Sequence, residues 1–283
     1  MTVRNYFLPA SLPDALGLLE THGPDLLVMA GGTVAMPLVN EGLSLPELVM
    51  GLRKAGLDRL DVVDGTLRIG ATATLTRLLE QRAVPMLSEA ARSTASWSVR
   101  NMATVGGNLF TPPPGGDVAV ALLALDATVV MAGPRGERSL PLAEFYTGFL
   151  STQLAADELL VEIRVPVADD PAAFLKFGRK HANTPAVVTV AARVTWRDGT
   201  VADARVALGA VGPHPIRARA AEGSLLGSLL DAATIDRAAG AAMDECEPFT
   251  DAIATDWYRR RMVGVFVTRA LRQLAPDADT EGR

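Results

Sequence analysis

Cysteine is almost missing from this 283-residue chain: Cys246 stands alone, which excludes an internal disulfide and an iron–sulfur cluster ligated by this chain's own thiolates. Histidine is scarce as well. His22, His181 and His214 are widely scattered, no two at metal-ligand spacing, so no metal site is expected. Lysine supplies only Lys54, Lys176 and Lys180 of the 27 cationic residues, the rest being arginine. Against 32 acidic residues these leave a net charge of −5, which speaks against nonspecific nucleic-acid binding. Long apolar runs are lacking too. The longest, Val118 to Leu125, is far shorter than the ~20 residues that cross a bilayer, so no transmembrane segment is expected. With Arg4, Pro9, Pro13 and Asp14 near the start, no apolar signal core can be drawn, and a cytoplasmic location is the expectation.

What is abundant is apolar substance and glycine. Hydrophobic residues make up 49% and the mean hydropathy is +0.22, enough for extensive cores and a subunit interface. The length suits two domains at about 150 residues each. Two glycine pairs, Ala30-Gly31-Gly32-Thr33 and Thr104-Val105-Gly106-Gly107-Asn108, each follow or join a short apolar run. A missing Cβ admits positive φ and lets backbone N–H groups approach an anion, so the two turns together suggest a clamp on the diphosphate of a dinucleotide. Thr33 and Thr104 add hydroxyls, and Asn108 either bonds a ligand or caps the next segment. Neither turn has the Lys-Ser/Thr of a triphosphate loop or the Gly-x-Gly-x-x-Gly of a doubly wound fold.

Along the chain, Leu26 to Ala30 and Leu48 to Met50 read as strands, and Asp64-Gly65 joins the strands Asp61–Val63 and Leu67–Ile69 as a hairpin. Thr74 caps a helix carrying Leu75, Leu78 and Leu79, and a second helix follows Pro85. Thr111 to Gly116, with its three prolines, must be loop, and Asp117 occupies an N-cap position before the apolar helix. A hairpin over Gly133 to Gly136 and a strand from Leu159 to Pro166 close the first half. Asp169-Asp170-Pro171 is the linker. Three strands come next, Phe174–Arg179, Val187–Trp196 and Val201–Leu208, then helices to the end. The last, Asp256 to Leu274, repeats Tyr258, Met262, Phe266 and Ala270 at spacing four, so Arg259-Arg260-Arg261 reads as its solvated face, with an acidic partner as the other reading. Trp97 fits either a stack on a ring system or the core.

These residues resemble a known family. The runs Ala30 to Thr33, Arg68-Ile69-Gly70-Ala71 followed by Thr74, Val99-Arg100-Asn101, Thr104 to Asn108 and Pro114-Gly115-Gly116-Asp117 are similar to the FAD-binding medium subunit of molybdenum hydroxylases, the carbon monoxide and xanthine dehydrogenase type. Glu137-Arg138, Leu142-Ala143-Glu144-Phe145, Leu208-Gly209-Ala210-Val211 with Pro215-Ile216-Arg217, and Tyr258-Arg259-Arg260 continue the likeness in family order over nearly the whole chain. The resemblance implies an α+β fold: a PCMH-like FAD-binding domain over 1–170, of subdomains about 1–57 and 58–170, then a C-terminal domain over 171–283 with a three-stranded antiparallel sheet and helices.

By the same resemblance Ala30, Gly31, Gly32, Thr33, Val34 and Thr104, Val105, Gly106, Gly107, Asn108 hold the FAD pyrophosphate, Asp117 contacts the adenosine side, and Leu160 and Lys176 lie near the flavin. No catalytic residue is implied. No histidine or cysteine falls in or near either glycine turn, so FAD is expected to be held non-covalently. The implied task is electron transfer within a heterotrimer. A large subunit carries the molybdenum cofactor, a small one carries [2Fe-2S] clusters, and FAD passes electrons to an external acceptor. One departure stands out: relatives have Pro-Ala-Ala-Asp where this chain has Pro114-Gly115-Gly116-Asp117. A stand-alone FAD oxidoreductase and a scaffold that has lost FAD are the other readings.

Overall fold

The computed structural model describes residues 3–180 and 183–276; His181 lies outside them. The chain divides into two compact units. The first takes in the residues up to Thr111 together with Asp126–Thr147 and Ser151–Val167, and the second takes in Pro112–Leu125, Gly148–Leu150 and the residues from Ala168 on.

In the first unit, β1 (Asn5–Phe7), α1 (Leu12–His22), β2 (Leu26–Met29), α2 (Ala35–Asn40) and β3 (Leu48–Gly51) build a parallel sheet ordered β1-β3-β2. Parallel neighbours cannot be joined by a hairpin, and the two helices supply the crossovers. α1 begins where Ser11 Oγ accepts the Asp14 N–H and stops at Gly23, whose φ of 53° no longer fits a helix. It buries Ala15 and Leu19 in a core shared with Leu26, Met50, Val130, Leu159 and Val161.

β4 (Leu60–Val63) and β5 (Thr66–Gly70) form the expected hairpin, with Asp64 and Gly65 both left-handed at φ 48° and 71° as a two-residue turn between twisted strands requires. Next come α3 (Leu75–Glu80), α4 (Pro85–Ser93), α5 (Trp97–Arg100), α6 (Val105–Leu109) and α7 (Asp117–Ala124). The chain then runs through β6 (Thr128–Gly133), β7 (Gly136–Pro141), α8 (Leu142–Phe145), a short ribbon of β8 (Tyr146–Gly148) and β9 (Ser151–Thr152), and β10 (Leu159–Pro166). The second sheet is antiparallel in the order β4-β5-β10-β6-β7, which places β10 at its centre.

Glu158 anchors the entry to β10. The Arg138 guanidinium of β7 grips its carboxylate with two bonds of 2.7 Å, and the Ala155 N–H adds a third at 3.0 Å. The Arg138 bonds are the main cause, opposed by burial and aided by the Ala155 N–H and the Arg135 charge, of a Glu158 pKa held down at about 2. A carboxylate whose folded pKa lies below its unfolded value of roughly 4.3 adds stability that is complete above that value and disappears as the pH falls toward the folded one. Glu158→Gln is therefore expected to lower the urea midpoint at neutral pH, and its gap from the unaltered protein should shrink between about pH 4.5 and about pH 2.5.

The second unit is an antiparallel sheet of β11 (Ala172–Gly178), β12 (Ala186–Arg197), β13 (Thr200–Gly209) and β14 (Ile216–Arg217), paired in chain order. The sequence leads one to expect three strands. The fourth is two residues long, paired to Ala207 and Leu208, too short to show as a period in sequence. Val188, Val190, Val194, Val206 and Leu208 share one core with α9 (Arg219–Leu225), α10 (Ala232–Glu245) and α11 (Asp256–Leu274). The helix α7 packs within this unit too: a Cβ added to Gly209 of β13 would stand 2.4 Å from Val120 Cγ2.

Arg259 overturns its expected place on a solvated face. It is 0% exposed. Its Nη1 lies 3.0, 2.9 and 3.0 Å from the carbonyls of Ala186, Val187 and Ala210, its Nη2 grips Asp251 at 2.8 and 2.9 Å, and its guanidinium stacks 4.7 Å from the Phe249 ring centroid. Burial works to raise the Asp251 carboxyl, but the Arg259 fork and the N–H groups of Ala254 and Ile253 outweigh it and hold the carboxyl below its usual range. One side chain thus ties α11 to two strand ends and a loop. Arg259→Met strands a partly buried carboxylate and three carbonyls, so a loss of about 3–5 kcal/mol is expected in denaturant unfolding.

Candidate functional site

The first glycine pair lies between β2 and α2. Gly32 is left-handed at φ 73°, a conformation an L side chain adopts only with strain. Among the described residues no protein group accepts from the N–H of Gly31, Gly32, Thr33 or Val34; the next donor, Met36 N, bonds Gly32 O at 2.9 Å. Four successive amides without acceptors around a left-handed residue form the kind of concavity that binds anions. Gly31 is glycine for another reason: a Cβ there would fall 1.9 Å from the Met102 carbonyl oxygen. Met102 leads into Ala103 and Thr104, so the fold brings the two glycine segments together.

The second pair is the body of α6 rather than a turn. Thr104 is its N-cap, accepting the Gly107 N–H at 3.1 Å. Val105 N bonds Ala73 O at 2.9 Å, Gly106 N bonds Ala71 O at 3.0 Å, and Asn108 N bonds Thr104 O at 3.0 Å. All four amides are engaged within the protein, and neither glycine has positive φ. The reason for glycine here is close approach: a Cβ on Gly106 would stand 2.7 Å from Ala71 O, and one on Gly107 2.9 Å from Thr104 Oγ1. Positive φ, expected at both pairs, is therefore confined to Gly32.

Leu160 is buried in β10, beside a bulge in its pairing with β6. The next carbonyl, Val161 O, accepts the Ala71 N–H at 2.9 Å, and Ala71 O in turn holds Gly106. Sequence reasoning missed Tyr146, whose hydroxyl donates to Leu109 O at 3.1 Å at the end of α6 and whose burial pushes its pKa up. Nothing in the sequence around Tyr146 marks that role. Arg100 of the Val99-Arg100-Asn101 run is structural: its Nη1 lies 3.0 Å from Thr94 O and 2.8 Å from Ala95 O, just past the end of α4. Trp97 is 70% exposed, which removes it from the core.

In the second unit, Asp117 does not cap α7. Gly116 is the N-cap, at φ 83°, and Asp117 is the first helical residue. Its carboxylate turns inward: Oδ2 lies 2.6 Å from Lys176 Nζ and Oδ1 accepts from Thr189 Oγ1 at 2.9 Å. No sequence signal marks Thr189, a strand threonine among valines and alanines. Resemblance assigned Asp117 to the adenosine side and Lys176 to the flavin, and these two side chains are joined directly.

A mixed parallel and antiparallel scaffold with an acceptor-free amide array at its first glycine pair is an α+β protein with a candidate anion-binding turn. Family models make this specific. Residues 2–168 match the FAD binding domain in molybdopterin dehydrogenase, and residues 172–274 match the CO dehydrogenase flavoprotein C-terminal domain. The chain belongs to this flavoprotein family. It is 35% identical over 234 residues to caffeine dehydrogenase subunit beta of Pseudomonas sp. (strain CBB1), covering 80% of this chain and 79% of the relative. It is 33% identical to the 6-hydroxypseudooxynicotine dehydrogenase complex subunit alpha of Paenarthrobacter nicotinovorans, covering 94% and 93%. Among solved structures it superposes on a chain of the carbon monoxide dehydrogenase of Hydrogenophaga pseudoflava with a TM-score of 0.92 at 33% identity, over 96% of this chain and 97% of that one.

The loop before Asp117 yields a test of its two glycines. Only Gly116 is left-handed, so alanine there is strained while alanine at Gly115 removes freedom from the unfolded chain. Gly116→Ala is expected to cost about 1 kcal/mol and lower Tm, and Gly115→Ala to leave Tm equal or slightly higher. Thermal unfolding of the two single variants decides it.

Proposed function

We propose that this chain is the non-covalent FAD carrier of a molybdenum hydroxylase, relaying electrons from the iron–sulfur clusters of a partner subunit to an external acceptor. The observation that carries the reading is the run of acceptor-free amides from Gly31 to Val34 around left-handed Gly32, packed on the backbone that leads into Thr104. These amides suit the two negative charges of a pyrophosphate. In this reading Thr104, Val105, Gly106, Gly107 and Asn108 hold the second side of the pyrophosphate through the surface of α6 rather than through free amides, and Leu160 offers its backbone to the flavin. Asp117 and Lys176 serve the cofactor as one joined pair. Residues 1–170 would be the FAD-binding domain and 171–283 the C-terminal one.

When bound, FAD supplies the redox chemistry that lets an enzyme complex pass electrons onward. The residues of this chain bind and orient it. Cys246 is buried, and a single cysteine cannot ligate a cluster, which supports placing the clusters on a small partner subunit and the molybdenum cofactor on a large one. The caffeine and 6-hydroxypseudooxynicotine dehydrogenase relatives are themselves subunits. Among the described residues no helix is long and apolar enough to cross a membrane, and the cytoplasm is the proposed location.

The purified chain is expected to be yellow and to release its flavin into the supernatant on acid precipitation. Gly32→Ala should weaken FAD binding about 5- to 30-fold, the equivalent of forcing an L residue into the left-handed region. Colour that stays in the acid pellet would refute non-covalent binding. A chain that remains colourless with added FAD would show a scaffold that has lost it.

A further inference from the structure

Lys176, Thr189 and Gly209 are register partners across β11, β12 and β13, so they form one row on one face of the sheet. The helix α7 is seated on that row by two residues three apart, which share a helix face. Asp117 meets Lys176 and Thr189, and Val120 meets the space where Gly209 has no side chain. The polar part of the row is enclosed: side-chain exposure is 9% at Lys176 and 6% at Asp117, and Thr189 is 1% exposed. A buried carboxylate with one oxygen on an ammonium and the other on a hydroxyl has its rotamer fixed from two directions.

We propose that Thr189 is a positioning residue of the cofactor site: by donating to Oδ1 while Lys176 holds Oδ2, it fixes Asp117 and, through it, the Pro114-Gly115-Gly116 loop in the arrangement that receives the adenosine part of FAD. The proposal rests on the assignment of Asp117 to FAD under the proposed function. Thr189 touches no cofactor atom in this scheme; its influence passes entirely through the carboxylate. Valine has nearly the shape of threonine and lacks the donor, so Thr189→Val isolates the hydrogen bond, and serine at the same position restores it.

The test is a double-mutant cycle read as FAD affinity, by calorimetric titration of the full chain stripped of flavin together with any subunits that purify with it. Thr189→Val should raise the Kd for FAD about tenfold or more, as expected for loss of a hydrogen bond to a charged group, and Thr189→Ser should return it to within about threefold. In the Asp117→Ala background, Thr189→Val should add nothing. An unchanged Kd in Thr189→Val, or losses that simply multiply in the double variant, would overturn the proposal while leaving the FAD reading intact. If Asp117→Ala binds FAD as tightly as the unaltered chain, the assignment of Asp117 falls and this proposal falls with it. Circular dichroism and Tm of each apo variant separate these outcomes from misfolding, since Thr189→Val should keep the secondary structure of the unaltered chain.

Discussion

Backbone lies directly against backbone in the first unit, and both glycine segments of the candidate site depend on that contact. Gly31 against the Met102 carbonyl, and Gly106 against the Ala71 carbonyl, leave no room for even one methyl group. Because these contacts are between main chains, their geometry is fixed by the strands and helices that deliver them rather than by adaptable side chains. Ala71 is the hub: its N–H goes to Val161 of the central strand β10 and its carbonyl to Gly106. The glycine helix α6 is thereby referenced to the middle of the five-stranded sheet, and Tyr146 holds its other end. A ligand site built this way is pre-formed, and little ordering cost remains to be met on binding.

The strong bias from lysine toward arginine has a counterpart in the way strands and loops are tied together. Arg138 on Glu158, Arg68 on Glu162 and Arg259 on Asp251 are all two-pronged, and Arg259 and Arg100 also gather several carbonyls each. A planar fork with five donors can satisfy several acceptors at once, whereas an ammonium acts as a compact point charge. The buried exception is Lys176. There the acceptor geometry is different: one carboxylate oxygen is already taken by Thr189, and a point donor suffices for the other.

Local features of the chain are legible in its sequence. Asp64-Gly65 and Asp198-Gly199 are left-handed pairs between strands, as their residue types require, and Thr74 caps a helix because its hydroxyl accepts an orphan N–H group; Thr104 caps one as well, although its segment reads as a turn in the sequence. The spacing-four pattern gives the bounds of α11, but only Phe266 and Ala270 of its stripe are buried, Tyr258 and Met262 being half-buried beside the buried Arg259 and Val263. What periodicity does not report is a charged residue drawn inward by distant partners. Arg259 is the first of three consecutive arginines, and its acceptors sit on Ala186, Val187, Ala210 and Asp251, away from its own helix, so its burial has no local trace. Asp117 failed as a cap for a related reason. Its carboxylate could bond the local N–H groups or Lys176 and Thr189, and a buried ammonium is the stronger claimant because leaving it unpaired costs far more than an uncapped first turn.

The candidate groups of the two units differ in physical kind. In the first, the candidate groups are main-chain amides, whose charge is partial and whose position is set by packing; such a surface suits the shape and charge common to any diphosphate. In the second, the candidate groups are a carboxylate and an ammonium inside an apolar sheet–helix layer, where their mutual attraction is strong only while both are correctly placed. Substitution in the first unit should therefore act through steric fit and substitution in the second through electrostatic imbalance. Glycine itself is required for lack of space in both units: at Gly31 and Gly106 against main-chain carbonyls, and at Gly209 against Val120, whose seating there lets α7 bring Asp117 onto the Lys176–Thr189 row.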